Sequence, residues 1–160
     1  MQSVTVLCVG RLKERFYADA CAEYQKRLGR HCKLSLVELP EQRLGDAPSA
    51  AEVAAALERE ADAIFDRLPR GGAVIALCVE GKELSSEALA ETMARYAARG
   101  VSQVTFVVGG SFGMAERVKR AADLRLSMSP MTFPHHLARV MLLEQIYRAY
   151  QIRSGTKYHK

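Results

Sequence analysis

The sequence predicts an α/β protein with a mostly parallel sheet flanked by helices. Three observations carry that expectation. Short apolar runs rich in β-branched residues alternate with longer segments of helical period. The cleanest runs, such as Ala73 to Val79 (AVIALCV), are apolar on both sides of the pleat, as strands covered on both faces must be. Glycine or proline punctuates most junctions, where strand-to-helix turns need them. A β-α-β-α order of this kind implies parallel strands joined by crossover helices.

Ser3 to Val9 reads as the first buried strand, and Gly10 stops it. Lys13 to Leu28 carries Phe16, Tyr17, Ala20, Cys21, Tyr24 and Leu28 at helical spacing, with Gly29 as a C-cap signal. Lys33 to Leu39 is a second strand. Pro40 to Pro48, with two prolines and Gly45, reads as the most mobile loop. Ser49 followed by Glu52 is a capping box that opens a helix to about Leu68. Ala73 to Val79 is the third strand, and Glu80-Gly81-Lys82 reads as a turn. Ser85 opens a helix ending near Gly100, Gln103 to Val108 is a fourth strand, Met114 to Ala121 is helical, and Leu124 to Ser127 is a short fifth strand. His135 to Arg153 is the last helix. No repeat or linker divides the chain, so residues 1–160 are expected to form a single domain.

The chain has 160 residues and a formal net charge of +5. A basic excess suits a polyanionic partner, although solubility alone accounts for as much. No apolar run reaches the length of a membrane span, and no basic segment precedes an apolar block at the N-terminus. The expectation is a cytoplasmic protein with no membrane role. Cys8, Cys21, Cys32 and Cys78 form no C-x-x-C pair and read as buried, reduced thiols. The adjacent His135 and His136 point about 100° apart on a helix, so no metal site is expected.

Three stretches could carry chemistry. VVGGSFG (Val107 to Gly113) is a strand, a glycine turn and a helix, where backbone can approach a ligand. It lacks the spacing of a dinucleotide or P-loop fingerprint, and a plain tight turn reads equally well. Met128 to Phe133 is apolar and proline-stiffened where a loop should be polar. It is either a preformed wall for a flat ligand or a segment tucked under a neighbour. In the last helix Leu142, Leu143, Ile146, Ala149 and Tyr150 form one apolar face, with Leu137, Val140 and Met141 roughly opposite. A helix apolar on two sides is buried on two sides, which points to a subunit interface. Glu144 and Arg148 sit at i, i+4 on the second face and can pair. The tail ends Tyr158-His159-Lys160. A tyrosine that can stack on a base and a histidine that exchanges protons near neutrality are unusual at a solvated end.

These residues, from VVGGSFG through the Met128 loop to FPHHLARVMLLEQIYRAYQIRSGTKYHK, resemble the ribosomal RNA large subunit methyltransferase H family of the SPOUT class. The opening VTVLCVGRLKERFYADACAEYQKRLGR is similar to that family's N-terminus. The resemblance covers essentially the whole chain. It implies a SPOUT-type α/β knot, with a trefoil knot in the C-terminal part, where the residues alone would give an open sheet. It implies methyl transfer from S-adenosyl-L-methionine to N3 of a pseudouridine in 23S rRNA on the assembled ribosome, by a homodimer. By position, the donor pocket would comprise Leu77, with Val79 to Gly81 nearby, Gly109, Gly110, Met128, Ser129, Pro130, Met131, Thr132 and Phe133. The tail would reach the partner subunit's pocket. His159 is then a candidate base or proton relay and Tyr158 a stacking or hydrogen-bonding group. Arg139 is a candidate for stabilising negative charge or holding an RNA phosphate. Arg11, Lys13, Arg15, Lys26, Arg27 and Lys157 are candidate rRNA contacts. The rival reading is a non-catalytic RNA- or nucleotide-binding module; a Rossmann-type dehydrogenase or phosphotransferase is disfavoured by the missing fingerprints.

Overall fold

The structure is a computed structural model that describes residues 1–160. Five strands, β1 (Ser3–Val9), β2 (Lys33–Leu39), β3 (Ala73–Glu83), β4 (Gln103–Val108) and β5 (Leu124–Ser127), alternate with five helices. These are α1 (Arg15–Leu28), α2 (Ala50–Arg67), α3 (Ser86–Ala98), α4 (Glu116–Ala121) and α5 (His135–Arg153). The sheet order is β2-β1-β4-β3-β5, and every pairing is parallel.

Alternating side chains of the strands feed two cores, as period-2 geometry requires. Val4, Val6 and Cys8 of β1 join Cys21 of α1, Met93 of α3 and Leu142, Leu143 and Ile146 of α5 on one face. Leu7 and Val9 join Ile64 of α2 and Val118 of α4 on the other. Each of these large side chains, fully buried, contributes roughly 1.5–3 kcal/mol of apolar transfer. The Ser49–Glu52 capping box forms in both directions, and the Ser85 side chain caps α3 by accepting from Ala88 N–H.

Several expectations need correcting. β3 does not end at Val79. Leu126 of β5 lies opposite both Leu77 and Lys82, so Cys78 to Gly81 leaves the ladder and β3 rejoins it at Lys82 and Glu83. A Cβ on Gly81 would lie 2.8 Å from the Arg125 carbonyl. The excursion within β3 therefore lies backbone to backbone against β5, an arrangement consistent with a knotted C-terminal part. Gly29 is the C-cap of α1 as expected, reached with helical dihedrals (φ −57°) and its N–H on the Gln25 carbonyl. Phe16 is exposed, its ring tilted against that of Tyr17, and not buried by α1. The loop after β2 is pinned at its start: Gln42 N–H donates to Glu60 of α2, and Arg59 donates to the Gln42 side chain. Helix α5 lies between α1 and α3, so part of its two-sided apolar character is satisfied within one chain. Val140 packs on the first core, and Leu137 and Met141 remain half-buried.

Candidate functional site: a cavity around the β3–β5 crossing

The ends of β3, β4 and β5 converge with the start of α5 on a cavity of about 720 Å³. Its position beyond the carboxyl ends of parallel strands is where α/β sheets bind ligands. The volume lies within the usual range for small-molecule sites.

Three loops build the wall. Leu77, Cys78, Val79 and Glu80 come from the excursion in β3. Gly109 to Gly113 comes from the turn after β4, and Met128, Ser129, Met131, Thr132 and Phe133 from the segment after β5. Of the residues expected at a donor pocket, all but Pro130 line this one cavity. Tertiary structure thus brings together residues more than fifty positions apart.

The glycine turn is tight by necessity. A Cβ on Gly109 would collide with the Gly113 carbonyl, and one on Gly110 would lie 2.6 Å from Glu41 Oε1. Gly113 adopts φ +83°, a left-handed conformation that favours glycine. The turn is closed by the Gly113 N–H bond to the Gly110 carbonyl. The loop after β5 is fixed by its own serines: Ser127 Oγ donates to the Ser129 carbonyl, and Met131 N–H donates to Ser129 Oγ.

Further residues line the cavity beyond those expected to hold the donor. Glu80 and Lys119 of α4 form an ion pair at its edge, and the Lys119 hydrogen bond holds the Glu80 carboxyl below its ordinary range. His135 lines the wall at the start of α5. Burial pushes its pKa down and His136 adds to that, while Glu41 opposes. Cys78, expected to be buried, is half-buried on the cavity wall. Burial raises its thiol pKa, as it raises that of Cys8, to about 12. Val79, Phe112 and Met131 are all more than half exposed and lie around this cavity.

The three residues expected to act on substrate lie elsewhere. Arg139 is 1% exposed, its guanidinium donating to Glu38 Oε2 at 2.7 Å and to the Gly10 carbonyl at 3.0 Å. It clamps α5 to the ends of β1 and β2; its Nε has no partner but is buried, so the side chain is out of reach of a phosphate outside the chain, which corrects that expectation. Tyr158 stands edge-on to Tyr147, with the Arg148 guanidinium 4.7 Å from its ring centroid. His159 bridges Arg148 and Glu87 of α3 at 3.2 and 2.7 Å. Within one chain neither residue lines the cavity. Arg148 also binds Glu144, and Glu144 Oε2 is buried without a partner. Arg11, Lys13, Arg15, Lys26, Arg27 and Lys157 are all exposed. No group of three or more His, Cys, Asp or Glu side chains converges as a metal site would, and no helix is long and apolar enough to cross a membrane.

The family model described as predicted SPOUT methyltransferase matches residues 2–159. Proteins from Streptococcus equi subsp. zooepidemicus and subsp. equi, each described as ribosomal RNA large subunit methyltransferase H, are 41% identical over 157 residues. That span is 98% of this chain and 99% of each of theirs. Among solved structures, a probable methyltransferase from Bordetella pertussis Tohama I superposes with TM-score 0.61 at 16% identity, covering 93% of this chain and 95% of that one. A probable methylase family protein from Haemophilus influenzae gives TM-score 0.57 at 12% identity, covering 99% of this chain and 71% of that one. Those two likenesses speak for the fold. With the parallel sheet and the three-loop cavity at the β3–β5 crossing, the family match and the close relatives establish that this chain belongs to the SPOUT methyltransferase family.

Proposed function

We infer that this chain transfers a methyl group from S-adenosyl-L-methionine to large-subunit ribosomal RNA, at N3 of a pseudouridine in 23S rRNA. The observation that carries the reading is the convergence of the β3 excursion, the glycine turn and the Met128–Phe133 loop on one cavity.

The residues present fit the donor. Met128, Met131 and Phe133 with Leu77 and Leu126 offer apolar walls to a flat heterocycle. At Gly109 and Gly110 there is no room for a side chain, so backbone amides and carbonyls face the cavity. The start of α5, which no side chain caps, presents free N–H groups at the wall and suits a carboxylate. When bound, S-adenosyl-L-methionine supplies an electrophilic methyl carbon. The protein's task is to hold donor and acceptor in line and to exclude water.

The acceptor side requires a base. N3 of pseudouridine bears a proton between two carbonyls and is a weak nucleophile until that proton leaves. His159 is proposed as the proton acceptor or relay, and Tyr158 as the residue that stacks on or hydrogen-bonds the base. Because neither lines its own chain's cavity, the reading assigns the work to a homodimer in which each tail serves the partner subunit's cavity. The half-buried Glu144–Arg148 pair, with its unpartnered carboxylate oxygen, and the half-buried Leu137 and Met141 support an interface on this face of α5. The exposed Arg11, Lys13, Arg15, Lys26, Arg27 and Lys157 are proposed rRNA contacts, working without metal and away from membranes.

The test is methyl incorporation into ribosomes with and without the pseudouridine. Incorporation only into the pseudouridine-bearing ribosomes supports the reading, and no incorporation into either removes it. For His159→Ala, turnover at saturating ribosome should fall by about two orders of magnitude, the usual scale of general-base catalysis. Unchanged turnover with weaker ribosome binding would make His159 a phosphate contact instead.

A further inference from the structure

The loop after β2 carries a carboxylate that the methyl-transfer reading does not use. Glu41 Oε1 accepts the Ser111 backbone N–H at 2.7 Å, reaching across 70 residues to the tip of the glycine turn. Its other oxygen faces β1 and α5: a Cβ on Gly10 would lie 3.4 Å from Glu41 Oε2 and 3.0 Å from His135 Cε1. The side chain therefore fills the space between Gly10, Gly110 and His135, all at the cavity end of the sheet. The loop that bears it is fixed in turn by Gln42 to Glu60 and Arg59.

We propose that Glu41 is a positioning residue for the donor cavity, latching the Gly109–Gly113 turn through Ser111 N–H so that its backbone stands ready against the methyl donor. The inference rests on the methyltransferase reading of that cavity. Two further facts agree with it. Although burial disfavours the charge, the Ser111 bond and the neighbouring His135 and His136 hold the Glu41 carboxyl below its ordinary range, so it is ionised at neutral pH. Gly110 also acquires a reason to be glycine: a methyl group there meets the carboxylate and expels the latch, since Glu41 is the flexible partner. Glu41 touches no reacting atom; it acts only through the turn.

The test uses the full chain and two readouts. Titration calorimetry measures S-adenosyl-L-methionine binding to the wild type, Glu41→Ala, Glu41→Gln, Gly110→Ala and the Glu41→Ala/Gly110→Ala double variant. Amide exchange follows Ser111 without any ligand. Losing a charge-assisted hydrogen bond should weaken binding about tenfold in Glu41→Ala and speed Ser111 exchange by a similar factor. Glu41→Gln keeps an acceptor and should stay within about threefold of wild type. The double variant should bind no worse than Glu41→Ala alone, because each change removes the same latch. Wild-type binding and unchanged Ser111 exchange in Glu41→Ala overturn the proposal, as do additive losses in the double variant. If the wild-type chain takes up no S-adenosyl-L-methionine, the functional reading falls, and the exchange rate of Ser111 alone decides the latch.

Discussion

The cavity proposed for the donor and the C-terminal tail are both marked by residues out of character for their place, yet they fold differently. Apolar Met128, Met131 and Phe133 in a loop find their partners inside one chain, where β3, β4 and β5 end together. Tyr158 and His159 find partners too, but on the α3 and α5 side of the molecule, at Glu87, Tyr147 and Arg148. The difference lies in what holds each in place. The cavity loops are fixed by backbone: a glycine turn with no room for side chains and a strand crossing that touches Gly81. Tyr158 and His159 are held by side chains, the imidazole by the Glu87 carboxylate and the Arg148 guanidinium and the tyrosine ring by Tyr147 and Arg148. A half built by backbone and a half held by side chains are what the proposed two-chain active site would need.

The largest expected effect separates the halves. Gly109→Val drives a side chain into the Gly113 carbonyl and should weaken S-adenosyl-L-methionine binding at least about a hundredfold, the scale of an overpacked backbone contact. Removing residues 157–160 should leave that binding within about twofold while abolishing methyl transfer. Calorimetry and the ribosome assay read the two quantities separately. Equal loss of binding in both variants would erase the distinction.

Arg139 sharpens the comparison from the stability side. Arg139→Met leaves Glu38 and the Gly10 carbonyl without their donor and should cost about 3 kcal/mol, read from denaturant midpoints. If Arg139 acted on RNA instead, stability would hold and ribosome affinity would drop.

The smallest effect is a pH slope. The folded-state pKa of His135 lies below its ordinary value of 6.5 through burial, with His136 adding to the depression, Glu41 opposing it and Arg139 also facing the ring. The unfolded chain then takes up the proton first, so this contribution is fully present above about pH 6.5 and is lost as the pH falls below it. His135→Asn should flatten thermal stability between pH 6.5 and 5 relative to wild type. An unchanged slope would place the titration elsewhere.

The element order, the two cores and the Ser49–Glu52 cap were legible because they depend on period and on residues three positions apart. The cavity loops were legible through the family resemblance, since spacing alone left VVGGSFG open between a ligand loop and a plain turn. What escaped is non-local. Glu80-Gly81-Lys82 has the composition of a turn, and only the passage of β5 beside it shows β3 resuming at Lys82. The partnerships of Glu41 with Ser111 and of Lys119 with Glu80 span 70 and 39 residues and leave no periodic trace. Arg139 was misplaced because a charged residue on a helix reads as accessible until a carboxylate and a carbonyl are seen to meet it inside.

The central claim is that donor cavity and acceptor tail belong to two different chains of one active site. Complementation tests it directly. A Gly109→Val chain with an intact tail is mixed, through denaturation and refolding, with a chain lacking residues 157–160 but with an intact cavity. Each alone should be inactive on ribosomes. Their mixture should recover methyl transfer, because the mixed dimer pairs one sound cavity with the partner's sound tail. A mixture that forms mixed dimers yet stays as inactive as its parts would contradict the claim.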